Sequence, residues 1–133
     1  MVVDTSVWLD YLYYQHHPDT GDYLDRYLSQ SGPIEMLPVI YQEVLQGMRS
    51  DQEYRRFQQN ASHFDFYHFS NPFEAAHQSA TLYRECRRKG LTIRKPNDCL
   101  IAHYCLSYGL SLLTVDADFD HLAKVFPLQI VRV

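Results

Sequence analysis

Cysteine is scarce in this sequence. Cys86, Cys99 and Cys105 are the only three, and no two form a CxxC pair. That spacing argues against a disulfide framework and against a thiolate zinc site, and it fits buried free thiols in a reducing cytoplasm. Long apolar runs are missing too: nothing approaches the roughly 18 residues of a membrane span. Asp4 interrupts any leader-type apolar segment before it starts, so no membrane association is expected. Net positive charge is lacking as well, with 12 Lys and Arg against 16 Asp and Glu and a formal net charge of −4. The body as a whole is therefore no general polyanion binder. No repeat, low-complexity tract or linker divides the 133 residues, which predicts one domain over 1–133.

What is present is apolar and aromatic: 46% hydrophobic residues, with 11 Tyr and 7 Phe. Short apolar runs alternate with longer stretches of helical period, the pattern of an α/β fold with a parallel sheet between helical layers. Strands are predicted at Met1–Val3, Ile34–Leu37, Ser111–Val115 and Leu128–Val131, with an extended edge within His63–Phe69. Helices are predicted over Thr5–Gln15 (Val7, Trp8, Tyr11 and Leu12 as its apolar members) and Asp19–Ser29. Another runs from Pro38 through Met48. Ser50 and Glu53 make a capping-box pattern for the next, with Tyr54 and Phe57 facing inward. Asn71-Pro72-Phe73-Glu74 supplies a cap, a proline at the first position and an early acid, and that helix stops at Gly90. Pro96 begins another, with Ile101, Tyr104, Cys105 and Tyr108 as its buried stripe and Gly109 as its stop. A short helix spans Asp118–Val125.

The acids fall at telling places in this scheme. Asp4 and Asp116 each follow a strand, and the carboxyl ends of parallel strands form the ligand-binding edge of such sheets. Asp98 precedes Ile101 by three residues and Cys105 by seven, and Glu43 follows Ile40 by three, so both continue core-facing stripes. Singly, each acid suits an ordinary role: Asp4 and Asp118 as caps, Asp116 in a turn, Asp98 answering a helix dipole. Glu43, in mid-helix, has no such role. Convergence of all four is what the ordinary roles leave unexplained. Two carboxylates about 4 Å apart repel by roughly 4 kcal/mol at an effective dielectric of 20. Protonation or a bound cation relieves that. With neither stripe offering a Lys or Arg partner, a hard divalent ion such as Mg²⁺ or Mn²⁺ on oxygen ligands is the economical answer, and it suits phosphoryl chemistry. The stretch RECRRKGLTIRKPND concentrates Arg84, Arg87, Arg88, Lys89, Arg94 and Lys95 just before Asp98. As part of a helix end it could be mere solvated charge, but beside an acidic rim it reads as a candidate RNA-binding patch.

VVDTSVWLDYL, EVLQG and RRKGLTIRKPNDCLIAHYCLSYGLSLLTVDADFD together resemble the PIN-domain nucleases, most closely the VapC-type toxins of bacterial toxin–antitoxin pairs. The resemblance runs over nearly the whole chain. It implies a three-layer sandwich, a parallel sheet of about five strands with helices on both faces. It also implies an Mg²⁺- or Mn²⁺-dependent endoribonuclease that leaves 5′-phosphate and 3′-hydroxyl ends. By position the catalytic and metal-holding acids would be Asp4, Glu43, Asp98 and Asp116, with Asp118 as a further metal ligand and Thr5, Ser6 and Thr114 in support. The implied partners are an RNA substrate and a small antitoxin. The aromatic first helices (Trp8, Tyr11, Tyr13, Tyr14, Tyr23, Tyr27) would offer surface for that protein or for a homodimer. Asn97 departs from the apolar or small residue expected before the aspartate, at a position the resemblance does not connect with the four acids.

Other readings divide on specific residues. A receiver-like Mg²⁺-binding signalling domain wants a lysine at a late strand end, where this chain has Thr114. A dehalogenase-type phosphatase wants Asp-x-Asp after the first strand, where this chain has Asp4 and Ser6. A silent interaction module is disfavoured by the complete set of acids. A PIN nuclease of RNA processing, without a toxin role, would look the same at this level.

Overall fold

Two valines begin the sheet at its centre. In the computed structural model, which describes residues 1–133, strand β1 (Val2–Val3) lies between β2 (Glu35–Met36) and β4 (Ser111–Leu113). Strand β3 (Asp65–Phe66) extends the sheet beyond β2 and β5 (Gln129–Ile130) extends it beyond β4, giving the order β3-β2-β1-β4-β5. All four pairings are parallel, with Val2 opposite Glu35 on one side and opposite Leu112 on the other. Val2, Val3, Leu112 and Leu113 are buried, as strands covered on both faces require. The five strands match the number implied by the resemblance.

Seven helices connect them: α1 (Thr5–Leu9), α2 (Pro18–Ser29), α3 (Pro38–Gln46), α4 (Asp51–Ala61), α5 (Pro72–Arg88), α6 (Pro96–Tyr108) and α7 (Ala117–Val125). The chain first winds outward from β1 to β3, then crosses back to β4 on the opposite side of β1. Right-handed crossovers send the helices of these two halves to opposite faces. Accordingly, α1 packs on α3 and α3 on α4, while α5, α6 and α7 pack on one another. One contiguous core of buried side chains, including Trp8, Leu24, Ile40, Ile101 and Phe119, fills the space on either side of the sheet.

Most predicted boundaries hold to within two residues. Ser50 Oγ accepts the Glu53 amide at 3.1 Å and caps α4, and Asn71 Oδ1 accepts the Phe73 and Glu74 amides at 3.1 and 3.0 Å ahead of Pro72. Gly109, at φ +65°, ends α6 in the left-handed conformation that a Cβ disfavours.

Three expectations fail. The first helix does not run evenly to Gln15: after Leu9 it widens into a π-helical turn (Asp10–Tyr14), closed by the Gln15 amide on the Asp10 carbonyl at 2.7 Å. Asp10 drives this by turning inward to accept the His16 and His17 amides at 2.9 and 3.0 Å. The wider turn carries Leu12 off the 3.6-residue stripe, leaving it 38% exposed. Tyr54 and Tyr108 are 41% and 44% exposed rather than interior. Tyr108 packs sideways on Tyr67 and Phe69, aromatic partners from the segment after β3.

Burial decides the cost of truncation here. Leu112→Ala, emptying a central-strand position, is expected to cost about 2–5 kcal/mol, whereas Leu12→Ala, on the exposed side of the π-helical turn, should cost less than about 1 kcal/mol. Urea denaturation of the two variants beside the parent protein reads both; equal losses would mean that Leu12 is interior after all.

Candidate active site

Strand order reverses between β1 and β4, and there the carboxyl ends of the two strands open a crevice. Asp4 stands at the end of β1. Its amide continues the ladder onto the Leu113 carbonyl at 3.0 Å. Its side chain caps α1 by accepting the Thr5 amide at 2.8 Å, and it takes two hydroxyls, Ser6 at 2.6 Å and Thr114 at 3.1 Å. Asp116 follows β4 and caps α7, accepting the Asp118 amide at 2.9 Å. Thr114 ties the pair together, because its Oγ1 also accepts the Asp116 amide at 3.0 Å. β4 stops at Leu113, two residues earlier than predicted, and Thr114 and Val115 form the turn that delivers Asp116.

From the helical layers come the other two acids. Asp98, in the first turn of α6, is 4% exposed, and its Oδ2 is buried without a hydrogen-bond partner. One carboxylate oxygen from each of Asp98, Asp116 and Asp118 lies within 4.8 Å of the other two. Glu43, on α3, is joined to this group from both sides: Thr5 Oγ1 donates to its Oε2 at 2.7 Å, and Asn97 Nδ2 donates to its Oε1 at 2.8 Å. The four acids expected to meet therefore gather at this end of the sheet: Asp116 beside Asp98, Asp4 tied to Asp116 through Thr114, and Glu43 tied to Asp4 through Thr5, with Ser6 as a further hydroxyl on Asp4.

The electrostatics follow from burial and crowding. Burial first, and then the neighbouring Asp4 charge, push the Asp98 carboxyl up to about 8, against the pull of Lys95. Asp4 is also raised, by burial that its hydroxyl and amide donors do not offset. Asp116 goes the other way: burial would raise it, but the Lys95 ammonium, the Asp118 amide and Arg94 together hold it below the usual carboxylate range. Asp118 is anchored by the Arg94 and Lys95 amides at 3.0 and 3.2 Å and by Arg94 Nε at 3.3 Å.

One sequence reading holds and one changes at this point. Neither Asp98 nor Glu43 bonds a Lys or Arg, in line with their stripes, but Asp116 does: Lys95 Nζ bonds its Oδ2, and Arg94 Nη2 reaches its Oδ1 at 3.4 Å. Both cations stand before the stripe of α6 and reach the rim through the turn that Asp118 anchors, which helix periodicity could not reveal. Asn97 was placed apart from the acids, yet its amide is one of Glu43's two side-chain partners. The departure from the expected residue type was the available signal. Of the basic stretch, Arg94 and Lys95 lie in the site, while Arg84, Arg87 and Arg88 line a separate exposed hollow at the end of α5, next to Lys89.

A divalent ion fits this donor set. The oxygens are hard, no His or Cys intrudes, and Asp98 Oδ2 is a buried acceptor with nothing bound to it. Asp98, Asp116 and Asp118 are close enough to share such an ion, and Asp4 and Glu43 border them.

Comparison with known proteins places the chain in a family. The PIN domain family matches residues 1–125. VapC ribonuclease Mb1587 of Mycobacterium bovis is 32% identical over 136 residues, covering 97% of this chain and 96% of its own length, and ribonuclease VapC11 of Mycobacterium tuberculosis is similar to the same extent. Among solved structures, VapBC2 from Rickettsia felis, bound to a promoter DNA fragment, superimposes with a TM-score of 0.71 at 19% identity, over 98% of this chain and 96% of that one. VapBC-1 from nontypeable Haemophilus influenzae gives 0.71 at 16% identity, over 98% and 95%. These two likenesses concern the fold.

The raised Asp98 carboxyl makes stability pH-dependent. In the unfolded chain it ionises near 3.8, in the folded chain near 8, so its contribution is full below the lower value and is lost as pH rises toward the upper one. Each tenfold difference in proton affinity is worth about 1.4 kcal/mol. In EDTA, the melting temperature is expected to fall between pH 6 and pH 9, and Asp98→Asn should flatten that fall and melt higher at pH 9. A variant with the parent's slope would show that Asp98 is not the group responsible.

Proposed function

The chain belongs to the PIN-domain family, and on that premise we propose that it is a divalent-metal-dependent endoribonuclease, the toxin of a toxin–antitoxin pair. The observation that carries this reading is the unpartnered, buried Asp98 oxygen beside Asp116 and Asp118 at the sheet's switch point. The two VapC ribonucleases, similar over nearly their full lengths, support the activity and the toxin role.

Asp4, Asp98 and Asp116 would hold Mg²⁺ or Mn²⁺, with Asp118 next to them. When bound, such an ion supplies Lewis-acid activation of water and positive charge at the phosphate. Glu43 is the base: its two bonds, from Thr5 and Asn97, hold the carboxylate facing the crevice, where it orients the attacking water and accepts its proton. Attack in line on the phosphodiester breaks the bond to the 3′ oxygen and leaves 3′-hydroxyl and 5′-phosphate ends. Ser6 and Thr114 keep Asp4 aligned by hydrogen bonds. Arg84, Arg87, Arg88 and Lys89 would grip the RNA backbone beyond the crevice.

One domain over residues 1–133 does this work, in a cytoplasm reducing enough for the three buried free cysteines. No helix is long and apolar enough to cross a membrane. A small antitoxin is the expected protein partner, in keeping with the VapBC complexes of the same fold. Tyr14, exposed beside the half-buried Tyr13, and the half-buried Tyr11, Tyr23 and Tyr27 offer surface for it or for a homodimer. Trp8 does not: it is core, packed on Phe57 and Phe64.

Incubation with structured RNA and Mg²⁺ or Mn²⁺ is expected to yield discrete fragments with 5′-phosphate ends. EDTA should stop the reaction, and Asp98→Asn should lower its rate by a factor on the order of 100 or more. Cleavage that persists in EDTA would overturn the reading. Reversing charge at Arg87 and Arg88 is expected to weaken RNA binding and flatten its dependence on salt, because fewer counterions are released. A salt titration with the parent's slope would return the end of α5 to a solvated helix terminus.

A further inference from the structure

Lys95 has no part in the mechanism proposed above. Its backbone is fixed, since its amide donates to Asp118 Oδ2 at 3.2 Å and the next residue is the first proline of α6. Its side chain is 56% exposed, yet the ammonium turns back to bond Asp116 Oδ2. That oxygen belongs to the carboxylate group read above as the divalent-ion site. Arg94 cannot substitute, because its guanidinium is divided between Asp118 and the other Asp116 oxygen. An ammonium and a divalent ion on one carboxylate oxygen repel, so the two are alternatives.

We propose that Lys95 is a tethered competitor of the divalent ion: it occupies Asp116 until the ion displaces it, so that metal entry is a cation exchange. This rests on the metal-dependent reading of the site. The four-carbon stem lets the displaced ammonium swing to the rim without moving the backbone that Asp118 anchors. Exchange also explains why a lysine suits a place beside four acids: a displaceable point charge serves where a bidentate arginine would hold on.

Mn²⁺ binding, followed by calorimetry at constant ionic strength, tests the exchange without any RNA. Lys95→Gln is expected to bind Mn²⁺ about tenfold more tightly than the parent, and to melt lower in EDTA but show a larger rise in melting temperature on Mn²⁺ addition. Lys124→Gln, which removes the same charge from the exposed end of α7, should leave Mn²⁺ affinity unchanged. In the parent chain, nitrogen-resolved NMR of the three lysine ammonium groups should show a slowly exchanging Lys95 signal in EDTA that is lost on saturation with Mg²⁺. That measurement stands even if Lys95→Gln fails to fold. Unchanged or weaker Mn²⁺ affinity in Lys95→Gln, equal tightening in Lys124→Gln, or a Lys95 signal insensitive to Mg²⁺ would each overturn the proposal. A parent chain that binds no Mn²⁺ at all would overturn the metal-dependent reading with it.

Discussion

Carboxylates crowded into a place with little water govern this molecule. Asp98 is buried, one of its oxygens has no partner, and Asp4 and Asp116 stand close by. Such a group is unfavourable for an ionised, empty protein. The surrounding structure works to relieve it: three hydroxyls, a helix cap at each strand end, and two cations at the entrance. Those relieving contacts also fix where the oxygens stand. The same contacts thus lower the penalty and shape the site.

The sheet supplies the place. Because β1 and β4 are neighbours in space though more than a hundred residues apart in the chain, Asp4 and Asp116 emerge side by side and share Thr114. α6 begins just above them and lowers Asp98 into the crevice, while α3, in the other helical layer, brings Glu43. Asp118 plays a different part from the other acids. Both of its oxygens are engaged by the turn that carries Arg94 and Lys95, so it governs how those cations reach the rim.

Much of this was legible residue by residue. Asn71-Pro72, Ser50 with Glu53, and Gly109 announce their helix ends because capping is local chemistry. The acids on apolar stripes were legible because periodicity says which face a helical residue takes. Periodicity misled where a regular helix was assumed: Asp10 turns inward to its own downstream amides, widens the turn and pushes Leu12 outward. It misled again at Tyr108, whose ring finds partners in a segment about forty residues earlier. Lys95 was legible only as part of a basic stretch beside the rim, and Asn97 not as a member of the site at all, since the direction of a side chain at the mouth of a helix depends on what lies opposite it.

Local rules therefore suffice for the alternating strands and helices, for the positions of Asp4 and Asp116 at strand ends, and for the inward bias of Glu43 and Asp98. Each of those depends on a few successive backbone torsions and on which side chains avoid water. The assembly of the acids around Thr114, the loss of solvent that lifts the Asp98 carboxyl, the turn of Lys95 onto Asp116 and the clasp of Asn97 on Glu43 belong to the tertiary structure. They are distances between segments far apart in the chain, and those distances exist only once β4 has been laid beside β1.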